Sequence, residues 1–367
     1  MPSARLRSID VLRGASVAAM ILVNSQHSRL DAYPPLAHAE WNGWTLADVV
    51  FPVFVFIVGV SLALSTASRL EKGATRAELL RHALWRSGLL YLLGVLADVI
   101  SIPHHGFPYV ALREHLQLTG VLQKIAVCYL VAFAVTLGAG TAGVVAAIVG
   151  FNALYLGLLL LFPVPGCGPG VLTVDCNFPG WLDRTVIGRF TWDDPRQDPD
   201  GLGSLLPAIS TMLLGVLAGR YLRAENEPRR RVLGLLAGGV VLVAGGAVLQ
   251  RWIPVNKPMW TTSYAVLMSG LSAIALVTLV WVVDQHEPGR WVRPLEVLGS
   301  NALAAYLLSG PITNALRIHV RGTSLHDRIL SHDLGRPGAS LAFALICLAG
   351  VYGVTWLMVR RGWSLKL

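Results

Sequence analysis

Ten long apolar stretches, at about 11–25, 45–65, 86–101, 117–137, 142–162, 204–222, 232–250, 263–283, 297–311 and 339–359, dominate this 367-residue chain. Most approach the roughly 20 residues that a helix needs to cross the hydrocarbon layer of a bilayer. No water is available there, so every backbone N–H and C=O has to be satisfied within the segment, which an α-helix does and an isolated strand cannot. The expected fold is therefore all-α, a polytopic integral membrane protein with about ten transmembrane helices. Composition agrees: 54% of residues are hydrophobic and 14% charged, against about 25% charged in a typical soluble domain. The sequence contains no linker and no clear internal repeat, and a single transmembrane domain over 1–367 is expected.

Lys and Arg set the orientation, because short cytoplasmic connections retain an excess of them. With the N-terminus inside, segments 1–13, 66–86, 220–231, 284–293 and 360–367 hold 18 of the 30 basic residues. Both termini are then cytoplasmic, and the net charge of +9 reflects topology and not nucleic-acid binding. Arg5, Arg7 and Arg13 ahead of an apolar run, with Ala37-His38-Ala39 beyond it, imitate a secretory signal. A dozen mostly polar residues separate the run from the imitation site, so the first segment reads as a retained helix. The extracytoplasmic connections fall at about 26–44, 163–203 and 312–338, the second a Gly-, Pro- and Asp-rich capping loop. The segment EKGATRAELLRHALWR reads as a short basic amphipathic helix ahead of the third span, anchored at the membrane surface by Arg76, Arg81 and Arg86.

Of four cysteines, Cys128 and Cys347 lie inside spans and read as small core residues. Cys167 and Cys176 share the longest outer loop, where an oxidising compartment would allow a disulfide. A metal would need further ligands, and no other Cys or His occurs in that loop.

Polar residues inside or beside spans carry the functional signal, since ionisable groups are kept in hydrocarbon only where they act. His38 stands just outside the second span with Asp48 ten residues on. Imidazole titrates near physiological pH and suits a general base or acyl acceptor, with Asp48 fixing its tautomer. The bland reading is a loop histidine bonded to backbone, with Asp48 capping the helix. Asp10, Arg13, Val17, Met20 and Asn24 recur at intervals of three and four and share one helical face, with Arg13 and Asn24 about 16 Å apart. That face could line a path, or Asp10 and Arg13 could simply pair at the surface. Gln123 and Lys124 lie within the fourth span, where Lys124 either pairs with Asp98 or meets a ligand. Asn256, Lys257, Trp260 and Ser263 gather at the entry to the eighth span, and Asn301 and Tyr306 in the ninth; Trp260 alone would pass for an interfacial aromatic. His27, His104 and His105 show no metal-ligand spacing and read as surface residues. With no GxSxG, HExxH, CxxC or Walker-type loop, an anionic ligand on the cytoplasmic side would have to be held by Arg5, Arg7 and Arg13 or by helix N-termini.

Several motifs coincide with one family. RLRSIDVLRG (Arg5 to Gly14), MILVN ending at Asn24, HAEWNGWTLADVVFPVFVFIVG (His38 to Gly59), GVLQKIAVCY (Gly120 to Tyr129), WLDRTVIG (Trp181 to Gly188), DPDG (Asp198 to Gly201), PVNKPMWTTSY (Pro254 to Tyr264) and GSNALAAY (Gly299 to Tyr306) resemble the heparan-alpha-glucosaminide N-acetyltransferase family, in its bacterial-type core. The resemblance implies a transmembrane acyltransferase that moves acetyl from cytosolic acetyl-CoA to an amino sugar across the membrane, with no metal. It implies His38 and Asn24 as catalytic residues, supported by Asp48. It places Arg5, Arg7, Arg13, Gln123 and Lys124 toward the donor and Trp41, Asn42, Asn256, Lys257, Trp260 and Asn301 toward the acceptor. A homodimer in a bacterial inner membrane is the expected setting. The competing reading, an amino-sugar permease, draws on the ten spans and on intramembrane Lys124 and Asp98, but transporters of that sort often show internal repeats.

Overall fold

The computed structural model describes residues 6–26, 29–101, 116–190, 196–286, 288–317, 329 and 335–365. Twelve α-helices are found among them and no strand: α1 Arg7–Asn24, α2 Leu46–Glu71, α3 Arg76–Ser101, α4 Val121–Gly138, α5 Thr141–Leu161, α6 Phe178–Val186, α7 Leu205–Ala224, α8 Pro228–Leu249, α9 Thr262–Leu279, α10 Arg293–Ser300, α11 Ala302–Arg317 and α12 Gly335–Arg360. Arg5, His27, His104 and His105 lie outside the described residues.

Among the described residues eight helices are long and apolar enough to cross a membrane: α2, α3, α4, α5, α7, α8, α9 and α12. The protein is thus a multi-pass membrane protein, and the difference from ten spans has a local cause at each end. Helix α1 is 18 residues long and carries Arg7, Asp10 and Arg13. The stretch 297–311 is broken at Asn301, whose φ of −125° and ψ of 39° end α10 before α11 begins. The basic segment ahead of the third span is continuous with it in the 26-residue α3. A capping box starts that helix: Thr75 N donates to Glu78 Oε2 (2.8 Å) and Glu78 N to Thr75 Oγ1 (3.2 Å). No Gly or Pro between Arg76 and Arg86 interrupts it.

The chain divides into two units. One comprises residues 1–40, 44–54 and 275–366, the other 41–43 and 55–274. In the first, Val17, Met20 and Ile21 of α1 pack with Leu298 of α10, Ala302 and Ala305 of α11, and Phe343, Cys347 and Val351 of α12. The α12 residues recur every four positions and so form one face. Asp284, closing a π-helical turn after α9, accepts from Ser8 N (3.1 Å) and caps α1. In the second unit Tyr155 and Leu159 of α5 bury against Ile253 and Met259. Cys128 and Cys347 are fully buried.

Close helix crossings hold both units. A Cβ on Gly14 would run into the Leu295 carbonyl and one on Gly299 into that of Asp10, so α1 and α10 meet backbone to backbone. In the second unit Gly59 faces the Met212 carbonyl and Gly215 that of Phe56, at the α2–α7 crossing. Lipid tails are as apolar as leucine, so burying a leucine gains little in a bilayer. Small residues that let backbones approach supply the packing instead.

Candidate active site

Helix α2 begins in the motif TLAD, and its first turn organises the histidine. Asp48 occupies the third helical position, where its side chain can reach back to the N-cap residue. Its Oδ2 accepts from Thr45 N (3.0 Å), Thr45 Oγ1 (3.3 Å) and Ala39 N (3.0 Å), while its Oδ1 lies 2.7 Å from His38 Nδ1. Thr45 Oγ1 also donates to Ala37 O (2.7 Å). One carboxyl group therefore caps the helix, fastens the preceding loop and holds the imidazole. The two sequence readings of Asp48, cap and histidine partner, describe one side chain.

The geometry fixes the chemistry available to His38. A carboxylate only accepts, so the hydrogen it shares with the ring sits on Nδ1 and the lone pair on Nε2. Asp48 is 1% exposed and the His38 side chain 43%, so the anchor is dry and the ring remains within reach of a solute.

Other expected residues of the same unit have more local partners. Asn24 ends α1 as an exposed residue. The next residue, Ser25, is tied down through its Oγ to Thr313 Oγ1 (3.1 Å), and Arg317 Nη2 donates to Gln26 O (3.1 Å). Arg13 Nη1 donates to Asp10 Oδ1 (3.1 Å), the pairing allowed by their spacing though both side chains are part-buried, and Arg7 Nε to Glu296 Oε1 (2.7 Å). Asn301 Oδ1 accepts from Leu365 N (3.2 Å), which fastens the chain beyond α12.

In the second unit the expected acceptor residues form a clasp. Asn256 is fully buried. Its Nδ2 donates to Trp41 O (2.9 Å) and Asn42 Oδ1 (3.3 Å), and its Oδ1 accepts from Met259 N (2.8 Å). Asn42 itself is exposed and Lys257 half-buried. Trp41 Nε1 donates to Leu172 O (2.9 Å), in the loop closed by a Cys167–Cys176 disulfide with Cα atoms 5.8 Å apart. Trp260 is no interfacial aromatic: it is fully buried, donates from Nε1 to Thr211 Oγ1 (3.1 Å) and stacks edge-on with Tyr264. Its φ of 49° is the only positive value on a non-glycine among the described residues. For a bulky residue that backbone is a genuine outlier.

Lys124 lies beneath this tryptophan, its Nζ 4.2 Å from the ring centroid. It donates to Pro199 O and Ser204 Oγ, each at 2.8 Å. Of the two readings of Lys124, the pair with Asp98 does not form: Asp98 Oδ2 accepts from Gln123 Nε2 (2.7 Å). Consecutive helical residues point about 100° apart, so Gln123 and Lys124 cannot both face Asp98.

Sequence reasoning passed over Thr45 and the carboxylates of the 163–203 connection. Thr45 was signalled by TLAD, a threonine three residues before an acid. Asp198 pairs with Thr119 and folds DPDG by accepting from Asp200 N (2.8 Å). Asp183 of α6 accepts from Gly203 N (3.0 Å), and burial pushes its carboxyl up to about 7. Gly201 leaves that carboxylate its room, since a Cβ there would collide with it. These bonds give the expected capping loop an ordered core that composition alone did not reveal. Among the described residues no group of three or more His, Cys, Asp or Glu is arranged to hold a metal ion.

The chain is 30% identical over 355 residues to human heparan-alpha-glucosaminide N-acetyltransferase and 28% identical to the mouse protein, covering 83% of this chain in each case. It spans about half the length of these curated relatives, 52% and 53% respectively. The family described as the acyltransferase domain is matched over residues 6–360. With that match running through nearly every described helix, the chain belongs to the acyltransferase domain family.

Proposed function

We propose that this protein is an acetyl-CoA-dependent N-acetyltransferase acting on the amino group of a glucosamine-type sugar at the extracytoplasmic end of α2. The observation that carries the reading is the His38–Asp48 pair, a tautomer-fixed imidazole at the mouth of a spanning helix in an acyltransferase chain. The human and mouse relatives, heparan-alpha-glucosaminide N-acetyltransferases by name, support the acyl group and the acceptor class. In this reading both termini are cytoplasmic, in a bacterial inner membrane.

The step is an acyl transfer. The amine nitrogen attacks the thioester carbonyl, His38 Nε2 takes the amine proton, the C–S bond breaks, and the thiolate leaves and recovers that proton. In this reading Asn24, an uncharged amide at the end of α1, donates to the carbonyl oxygen as charge develops there. The same tautomer suits attack by Nε2 itself on the thioester, which would leave acetyl on His38 before the sugar arrives. Acetyl-CoA is a polyanion, and Arg7 and Arg13 at the other end of α1 are the cations that suit its phosphates. Arg7 reaches them by exchanging Glu296 for phosphate, and Arg13 by exchanging Asp10.

The test uses full-length protein in lipid nanodiscs with labelled acetyl-CoA and an amino-sugar panel. His38→Ala should lower turnover by about 10²- to 10⁴-fold, the usual contribution of a positioned base, with the melting midpoint unchanged. Near wild-type acetylation by that variant would sink the assignment. Label on His38 after donor alone identifies the two-step route.

A further inference from the structure

The loop carrying His38 is apolar on its outside. Between Arg29 and Leu46, Leu30 is 90% exposed, Leu46 60%, Tyr33 44% and Trp44 42%, and Pro34 and Pro35 are exposed between them. The charges of the same segment are matched: Arg29 to Glu40 (2.6 Å), Asp31 to Arg336 (3.9 Å) and Asp48 to His38 (2.7 Å). Leu46 opens the spanning helix α2, so the patch runs directly into a surface built for hydrocarbon. Trp44 and His38 are each next in sequence to a partner in the Thr45 Oγ1 to Ala37 O bond (2.7 Å), which ties the backbone of the apolar patch to the turn that carries the imidazole.

Tryptophan and tyrosine among exposed leucines and prolines make a surface for the membrane–water boundary, where one end of a molecule is apolar and the other wet. A free sugar would gain little from it. A sulfated polysaccharide would look for unmatched cations, and every cation of this segment has a carboxylate. We infer that the acceptor is an amphipathic amino sugar, whose ring reaches His38 while an attached alkyl or acyl chain lies on Leu30, Tyr33, Trp44 and Leu46. Such an acceptor presents its head group to the imidazole without its chain leaving the apolar layer. The inference rests on the acetyltransferase reading and adds the class of molecule acetylated.

The experiment measures kcat/KM for glucosamine and for its methyl, butyl and octyl glycosides, with the full chain in nanodiscs and saturating acetyl-CoA. A fully buried methylene is worth about fourfold. A chain lying on a surface is covered on one side, so kcat/KM should rise about twofold per carbon. Leu30→Ser with Leu46→Ser should flatten that series while free glucosamine is turned over as by wild type, which also shows that the variant is folded; Leu30→Ser alone, at an open position, should reduce the slope. A flat series in wild type overturns the inference. So does a slope that both variants retain, since that traces the preference to partitioning into the bilayer. Acetylation of no member removes the acetyltransferase reading and this inference with it, whereas acetylation without chain-length dependence removes the inference alone.

Discussion

Asp48→Asn separates the two duties of one carboxyl group. Among the described bonds Oδ2 collects three donors and Oδ1 one, while asparagine has a single acceptor atom to offer. Turning its oxygen toward His38 would set an NH2 against the N–H groups of Ala39 and Thr45, leaving two donors unsatisfied at about 1–3 kcal/mol each. The amide should therefore keep its oxygen on the cap and point NH2 at His38 Nδ1, by about 2 kcal/mol or more. Nδ1 must then accept, the ring proton moves to Nε2, and the lone pair that takes the amine proton is gone. Turnover should fall about 10²- to 10⁴-fold, equivalent to about 3–5 kcal/mol of barrier. The cap survives, so the thermal midpoint should move by no more than about 1 kcal/mol warrants. Single-turnover transfer of labelled acetyl and a melt in the same detergent measure the two effects separately. His38→Ala with Asp48→Asn should be no slower than His38→Ala alone, as expected of residues acting as a unit. Turnover by Asp48→Asn within about threefold of wild type, with the fold intact, would refute the tautomer argument and leave Asp48 a helix cap.

Gly299→Val should destabilise the α1–α10 crossing by about 1–3 kcal/mol, because the added atoms meet the Asp10 backbone; Gly150→Ala, with nothing within 4 Å, should not, and equal melts for the two would contradict the packing assigned here. Asp183 gives a pH effect of defined sign. Burial raises its carboxyl from 3.8 to about 7, so the folded chain holds a proton that the unfolded chain has released. Its contribution is complete below about pH 4 and is lost as pH rises through about 7, with Lys124 and Asp198 as the charged neighbours. At 1.36 kcal/mol per unit the loss is on the order of 4 kcal/mol. Asp183→Asn should flatten the fall in melting temperature between pH 4 and 7, and an unchanged slope would place the titration elsewhere.

Much of the fold was legible because apolar length alone selects spanning helices. What escaped was local. The turn at Asn301 divides one apolar run into two helices; Gly299, Ser300 and Asn301 are weak helix formers with Asn a favoured N-cap, but the apolar residues on either side of that triplet masked the break. The catalytic candidate was legible as a pair, ten residues apart, but spacing could not say whether Asp48 served the helix or the histidine. Between the two readings of Lys124, spacing could not choose: both Lys124 and Asp98 lie in spans, yet the neighbouring Gln123 takes the carboxylate. Asn256 stood out as polar in an apolar setting, and its amide proves to be occupied by its own chain, a matter of partners that composition does not encode.

The Cys167–Cys176 bond has a consequence for orientation that owes nothing to counting basic residues. Thiols stay reduced in the cytosol, so a bond of this kind persists on the other side of the membrane. Its loop follows the carboxyl end of α5 and receives the indole N–H of Trp41, three residues along the chain from His38. Alkylation of intact membranes, with and without reductant, would thus tell on which side the imidazole works. One oxidised bond would serve as a compass for the whole chain.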